Sequence, residues 1–423
     1  MLTKDKNSSP FDRKVQHGHK CQVILSMAAE LLNTKGTRAT TLADISGRLN
    51  LTKTSLYYYV KTKEDLIYKC YMQTLDRLVE FADQAALAPN GKQQLLNFSR
   101  LYMEYWRDVK LGQKPHIALL TEVPILKGKN LKDAMSRINA LRAQIATFMQ
   151  SGLKDGSIRD LKPELAAQCF ISMVQWSMTW LPILGPDKVT FAVGQFEKIL
   201  TEGLASKAPY PLDWNCPNAI AKPDVTALDK SKACQQKLEA FLQVGTQFFN
   251  NKGFKGTSID EISKALDATK GTFYYHIKNK EELLLKCFDR TLKIVADKQS
   301  VADSTGNSGR EKLEMAAHAL YVVQNSSEGP LIRFSLLNAL EQKTRIAMLK
   351  RTQLVSKNFG RFVAEGKNDK SIRDVDSFIA EQLLTGAIGG AVPHSYTQVS
   401  DNITQDSADY FAILFKGLNP TLS

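Results

Sequence analysis

The residue types that most often perform catalysis are scattered in this 423-residue sequence. No Gly-x-Ser-x-Gly, His-Glu-x-x-His, Walker A or Gly-x-Gly-x-x-Gly stretch accompanies a histidine, and no Cys-x-x-Cys pair has zinc spacing. We therefore disfavour an enzyme and expect no cofactor and no metal site, with the cysteines as free thiols. The residues concerned are His17, His19, His116, His276, His318 and His394, and Cys21, Cys70, Cys169, Cys216, Cys234 and Cys287.

The charged residues, in contrast, are clustered. The net charge is +13, and residues 1–80 contain 13 lysines and arginines against 8 acidic residues. Residues 230–295 repeat this bias with 12 against 7. Clustered positive charge favours a polyanionic partner, because neutralised phosphates release their counterions.

Both basic blocks belong to an internal duplication. Residues 36–71 align without a gap with residues 253–288, and 15 of the 36 columns are identical. A second match, Ser-Ile-Arg-Asp at 157–160 and 371–374, shows that the duplication extends beyond the basic blocks. Residues 206–230 contain four prolines and no helical period, which predicts an irregular linker between two halves.

In each half, short helices must position the basic and hydroxyl-bearing residues. Apolar periodicity predicts a first helix over about 18–35, which ends at Gly36, and its equivalent ends at Gly253. Thr41-x-x-Asp44 and Ser258-x-x-Glu261 are typical of capping boxes that begin a second helix. Asn50 and Asp267 tolerate the left-handed conformation of a tight turn, and Thr52 and Thr269 can cap a third helix. A fourth opens at Thr62-x-x-Asp65 and Asn279-x-x-Glu282.

Helix, tight turn and short helix is the geometry that places a second helix in the major groove of DNA. The stretches 40–66 and 257–283 resemble the DNA-binding domain of the TetR/AcrR family. The run Gly271-Thr-Phe-Tyr-Tyr-His-Ile-Lys-Asn-Lys-Glu-Glu-Leu283 is the closer match. Family members usually have glycine in the turn, where this chain has Asn50 and Asp267. The helix-turn-helix motifs span about 41–60 and 258–277.

The resemblance implies a set of DNA-contacting residues at the start of the second helix, on the third helix and at the start of the fourth. Lys63 and Lys280 would join their charge to the N–H groups of a helix start and hold a phosphate. The implied residues are Thr40, Thr41, Thr52, Lys53, Thr54, Ser55, Tyr57, Tyr58 and Lys63, with Thr257, Ser258, Thr269, Lys270, Gly271, Thr272, Tyr274, Tyr275 and Lys280.

Structural roles compete with these assignments. Core packing is the alternative for the tyrosines, and we expect it for one tyrosine of each pair. A solvated surface is the alternative for the lysines, although their repetition in both halves favours DNA contact.

Behind each DNA-binding block, the sequence resembles more loosely the helical ligand-binding and dimerisation region of the family. An aromatic-rich stretch in the first half is typical of members that sense hydrophobic or acyl-type effectors, with Phe170, Met173, Trp176 and Trp180 as candidate contacts. Packing in the core or at a dimer interface is an equal alternative. Trp176 aligns with Gly390 and Trp180 with His394, so we expect at most one high-affinity effector site of this kind per chain.

The sequence thus predicts an all-α chain of two tandem TetR-like halves. DNA-binding domains span 17–80 and 231–295, helical regulatory and dimerisation domains span 81–205 and 296–420, and the linker spans 206–230. No secretory signal or membrane span is apparent, so we expect a cytoplasmic location.

The expected function is sequence-specific transcriptional regulation. Double-stranded operator DNA and a small-molecule effector are the expected partners, and repression is inferred from the family. The linker could extend to roughly 80 Å, so the halves can dock as a single-chain pseudo-dimer. A dimer of chains and an architectural DNA-binding protein without effector sensing are the alternatives.

Overall fold

The computed structural model describes residues 13–120, 122–206, 230–392 and 402–420. The described chain is all-α, as the sequence predicts, and none of its helices is long and apolar enough to cross a bilayer. His394 and nearly all of the predicted linker, including Cys216, lie outside the described residues.

Within the described residues, each half contains eight α-helices in the same order. The helices of the first half are α1 (Arg13–Ala39), α2 (Leu42–Arg48), α3 (Lys53–Tyr59), α4 (Lys63–Ala86), α5 (Gly91–Lys110), α6 (Gly128–Lys154), α7 (Pro163–Leu184) and α8 (Val189–Glu202). Those of the second are α9 (Lys230–Gly256), α10 (Ile259–Ala265), α11 (Lys270–His276), α12 (Lys280–Thr305), α13 (Gly309–Gln324), α14 (Gln342–Asn368), α15 (Ser377–Gly390) and α16 (Ile403–Phe415). Short 3-10 helices lie at Val123–Ile125, Pro186–Lys188 and Phe334–Ala339.

The first helix of the chain begins earlier than predicted. α1 begins at Arg13, several residues earlier than predicted, because residues 17–20 are polar and mainly exposed and so carry no apolar periodicity. The predicted helix ends are confirmed by geometry. Gly36 (φ 78°) and Gly253 (φ 67°) are non-helical and kink α1 and α9.

Long helices join the two parts of each half. α4 and α12 continue through residues 80 and 295, where the sequence places domain boundaries. Leu78, Phe81 and Ala82 lie on one side of α4 and are buried in the regulatory core, whereas Leu66 and Ile67 are buried in the DNA-binding core. The apolar face therefore passes from one core to the other without a break, and the helix runs on.

A second connection between the two parts uses one asparagine in each half. Asn33 on α1 donates from Nδ2 to the carbonyl of Ile117 (2.8 Å) and accepts from the N–H of Leu119 (2.8 Å). Asn250 on α9 repeats this pair with Leu331 and Arg333, at 2.9 Å each. Both asparagines thus tie the C-terminal part of the first helix to a loop of the regulatory domain.

The helices of the two predicted regulatory domains form one continuous hydrophobic core, whereas each predicted DNA-binding domain has its own. α7 packs against α15 and α16, the last two helices of the other half. The backbone contacts there follow a two-fold pattern. The Arg159 N–H donates to the Leu418 carbonyl, the Arg373 N–H to the Leu204 carbonyl, and both distances are 2.9 Å. These partners are related by the 214-residue offset of the second sequence repeat.

Glycines permit this close approach of the halves. A Cβ atom on Gly386 of α15 would lie 2.6 Å from Cβ of Trp176 on α7, and one on Gly390 would lie 1.8 Å from the Ser172 hydroxyl oxygen. Close packing of this kind leaves no room for an added methyl group. The two helices therefore meet through small residues on α15 and larger ones on α7.

The first prediction tests this packing. Gly386→Ala should lower the free energy of unfolding by about 1–3 kcal/mol, because the new methyl group overpacks the contact with Trp176. Urea unfolding followed by circular dichroism measures the change.

Gly389→Ala is the matched control on the same helix, since its Cβ would meet nothing within 4 Å. Alanine favours helix, so this variant should be neutral or slightly stabilised. Equal stability of the two variants would contradict the packing argument.

Candidate nucleic-acid interface and central cavity

The two helix-turn-helix motifs have the predicted turn geometry. Asn50 (φ 51°) and Asp267 (φ 49°) occupy the left-handed region between the second and third helices. Thr52 and Thr269 cap the third helices by accepting from the N–H groups of Ser55 and Thr272, at 3.1 Å each. Local hydrogen bonding thus fixes α3 and α11 relative to the turns that precede them.

Each third helix turns a polar surface to solvent and one apolar residue to the core. Leu56 and Phe273 are buried. Of the predicted contacts on these helices, Thr272 is half-buried and the others are exposed, namely Lys53, Thr54, Ser55, Tyr57 and Tyr58 on α3 and Lys270, Gly271, Tyr274 and Tyr275 on α11. The short helices therefore present one continuous polar surface each, as a groove-reading helix must.

The expectation that one tyrosine of each pair packs in the core is wrong. Tyr57 and Tyr274 are 51% and 52% exposed, and Tyr58 and Tyr275 are 74% and 80% exposed. Leu56 and Phe273 already fill the inward position of each helix, and the flanking tyrosines point away from it. All four phenol hydroxyls are therefore accessible to a phosphate.

The threonines before the second helices have structural roles. Thr40 and Thr257 are buried, and their hydroxyls donate to the carbonyls of Gly36 and Gly253 at 2.8 Å. These bonds satisfy the backbone carbonyls at the glycine kinks. The sequence alone could not distinguish a threonine hydroxyl with this structural role from one that faces DNA.

The next residues cap the second helices, and the predicted capping box is confirmed for Thr41, whereas the Ser258 hydroxyl bonds to Asp260 instead of Glu261. Thr41 completes a capping box with Asp44, and the Ser258 hydroxyl accepts from the Asp260 N–H at 3.2 Å. Asp260 also accepts from Lys270 at 2.9 Å, between exposed side chains. Thr41 remains exposed, while Ser258 is half-buried.

Lys63 and Lys280 are the first residues of α4 and α12 and are only partly exposed. The Lys63 ammonium donates to the Arg38 carbonyl at 3.1 Å, and the Lys280 ammonium donates to the Thr257 carbonyl at 2.9 Å. Burial lowers the pKa of both groups, and the nearby charges of Lys255 and Arg38, respectively, lower it further. Each ammonium therefore joins the start of the fourth helix to the end of the first.

The structure adds cations that the sequence reasoning missed. Arg38 donates across the halves to the Ala339 carbonyl at 2.8 Å and lies 3.8 Å from Glu281. Lys255 lies close enough to Lys63 to affect its pKa. Together with Lys280, these residues bring positive charge from both DNA-binding domains to the line where the halves meet. Arg38 aligns with Lys255 in the repeat. The positive charge at this position in both halves could have identified the two residues from the sequence.

One sequence difference between the motifs lies where the third helix packs against the first. Tyr59 and His276 end their third helices half-buried. Tyr59 stacks on His17 at 4.7 Å between ring centroids, and His276 packs near Phe241 at 6.2 Å. Both side chains therefore fix the third helix to the first.

A cavity of about 1020 Å³ lies between the halves. Trp176 lines it and donates from Nε1 to Gln382 of the other half at 3.1 Å. The other aromatic-stretch candidates, Phe170, Met173 and Trp180, are fully buried and do not line the cavity. Helical periodicity turns them toward the shared core, where Phe170 packs near Phe98 and Trp180 near Phe378.

Two family models match this chain. The model described as bacterial regulatory proteins of the tetR family matches residues 24–69 and again 241–287. The model described as a tetracyclin repressor-like C-terminal domain matches residues 81–204.

Two relatives, each about half as long as this chain, match one half of it or less. The HTH-type transcriptional repressor KstR2 of Rhodococcus jostii is 26% identical over 186 residues, which are 43% of this chain and 90% of the relative. The transposon Tn10 TetC protein of Escherichia coli is 29% identical over 141 residues, 33% of this chain and 69% of the relative.

Among solved structures, the ketosteroid regulator KstR2 of Mycobacterium tuberculosis is 19% identical with a TM-score of 0.37. The match covers 43% of this chain and 92% of that one. With both motifs matched by the family model, the chain belongs to the TetR family of DNA-binding transcriptional regulators and carries its DNA-binding domain twice.

Proposed function

We propose that this chain is a repressor that acts as a single-chain pseudo-dimer, with one operator per polypeptide and a small-molecule effector that releases it. The observation that carries the proposal is the continuous core shared by the regulatory helices of both halves. The resemblance to the TetR/AcrR family implies that two halves pair through their last two helices. In this chain, α7 and α8 have their counterparts α15 and α16 in the same polypeptide, packed against them.

The operator has two related but unequal half-sites. The two third helices differ near their starts at two aligned positions. Thr54 of α3 corresponds to Gly271 of α11, and Ser55 of α3 corresponds to the β-branched Thr272. Identical Lys53 and Lys270 supply a common contact. Direct readout depends on which donors and methyl groups reach the base edges, so these differences change the preferred base pairs.

The second prediction concerns this operator. Selection of bound DNA from a random pool with the full chain should enrich one site with two similar, non-identical halves, because the reading surfaces of α3 and α11 differ. Their centres should lie about one helical turn apart. High-throughput sequencing of the selected pool measures the enrichment.

Gly271→Thr provides the matched control, since it gives α11 the residue that α3 carries at the aligned position. The half-sites selected by this variant should become more alike. A pool without a consensus would favour the architectural alternative, in which the chain covers DNA without reading it.

The third prediction concerns phosphate contact at the starts of α4 and α12. Lys63→Ala or Lys280→Ala should weaken binding to all DNA sequences alike and reduce the salt slope by about 1, because one released counterion is lost. Fluorescence anisotropy at several salt concentrations measures the slope.

Lys188→Ala is a suitable control, because Lys188 is exposed in the 3-10 helix between α7 and α8, outside both motifs. This variant should keep the wild-type slope. An unchanged slope in both test variants would remove the phosphate assignment and leave Lys63 and Lys280 as links between helices.

Effector sensing is supported by the size and position of the central cavity. Its lining includes Asn33 and Asn250, which tie both DNA-binding domains to the regulatory loops. A ligand in the cavity therefore touches the connections that set the positions of the reading helices. Release of operator DNA by an apolar or acyl-type compound in a gel-shift assay would separate a regulator from an architectural protein.

The fourth prediction separates the pseudo-dimer from a dimer of chains with four DNA-binding domains. Light scattering on the free protein should give a mass near 47.2 kDa, because the helices that would pair two chains are already paired within one. A mass about twice that value would contradict the proposal.

A further inference from the structure

The central cavity has charged residues of one sign only. Among the described residues that line it are three arginines and no aspartate, glutamate, lysine or histidine. Most of the remaining lining is apolar. Neither Arg142 nor Arg333 has a carboxylate within ion-pairing distance in the described part of the chain. Both side chains are exposed and have no carboxylate partner within the residues that the structure describes, so their positive charge is available to a ligand that enters the cavity.

Two of the arginines come from different halves. Arg142 lies on α6, and Arg333 directly precedes the 3-10 helix at Phe334–Ala339. Burial lowers the pKa of Arg142, and the positive charge of Arg333 lowers it further, so the two guanidinium groups repel each other across the cavity. An anion between them would replace this repulsion with two attractive contacts.

Arg333 also contacts the first helix of the second DNA-binding domain. Its guanidinium Nη1 donates to the backbone carbonyl of Asn250 at 3.2 Å, and its backbone N–H donates to the side-chain oxygen of the same asparagine at 2.9 Å. In the first half, Leu119 occupies the equivalent position and bonds to Asn33 only through its backbone. A charged connection between cavity and DNA-binding domain therefore exists on one side.

We propose that the cavity binds one amphipathic anion per chain, with an apolar body and a terminal carboxylate or phosphate held by Arg142 and Arg333 from opposite halves. This inference rests on the proposed regulator function. The Arg333 guanidinium turns from the Asn250 carbonyl toward the anion, which loosens the connection to α9. The second DNA-binding domain thus responds to the ligand more strongly than the first.

The fifth prediction is tested by calorimetric titration of the full chain with dodecanoate, dodecyl phosphate and dodecanol, each below its micellar concentration. At least one of the two anions should bind with one site per chain, and the neutral alcohol should bind at least about tenfold more weakly. Arg142→Gln and Arg333→Gln should each weaken anion binding by about tenfold or more. The two anions distinguish a carboxylate from a phosphate as the acidic group.

Arg137→Gln is the matched control, because Arg137 lies on the same helix outside the lining and pairs with Asp76 at 2.6 Å on the surface. It should keep wild-type affinity. Two equivalent sites, equal affinity for the alcohol, unaffected binding in both test variants, or no binding of either anion would each overturn the proposal.

DNA affinity measured without any probe separates this inference from the proposed function. A chain that binds its selected operator but neither anion overturns the anion site alone. A chain that binds the anion but selects no operator overturns the regulator function and leaves the anion site in place. If Arg333→Gln disturbs the loop that contains it, Arg142→Gln still tests the anion site, because Arg142 lies on α6.

Discussion

The packing of α7 against α15 is the contact on which the rest of the molecule depends. It joins two sets of regulatory helices that would otherwise each expose an apolar face, and it does so within one polypeptide. The burial of apolar surface drives the association, and the glycines on α15 let the backbones approach closely enough for dense packing. Because each DNA-binding domain is fixed to its own regulatory part by a continuous helix, this contact sets the distance between the two third helices together with the direct contacts of α1 and α9 with the 3-10 helices of the opposite half.

The local structure of the DNA-binding domains could be predicted from the sequence, because short-range chemistry determines it. Capping hydroxyls, the left-handed Asn50 and Asp267, and the glycine kinks all lie within a few residues of the elements that they control. The pattern was also present twice, which separated it from chance. The continuation of α4 into the regulatory core was not predicted. The apolar face of this helix packs first into one core and then into the other, so the sequence pattern shows no boundary between them.

The direction in which a side chain points could not be predicted where two roles share one residue type. The Thr40 hydroxyl caps a carbonyl in the interior, although a threonine at that position equally suits a phosphate contact. Trp180 packs in the core while Trp176, one helical turn earlier, lines the cavity. The cavity itself is formed by residues from both halves, and a sequence contains no statement of which distant residues meet. For the same reason, the sequence could not predict that Arg142 and Arg333 line one cavity.

Duplication within one chain removes a constraint that symmetric dimers cannot escape. In a dimer of identical chains, every substitution appears on both sides of the two-fold axis. Here each half varies separately, so the glycines on α15 can meet the larger Ser172 and Trp176 of α7, and the second half can have Arg333 where the first half has Leu119. The backbone contacts that hold the halves together keep their two-fold pattern, while the side chains that face the cavity have diverged. Asymmetry is therefore concentrated in the side chains that line the cavity, where we propose that a ligand binds, and the two third helices also differ in the residues that they expose.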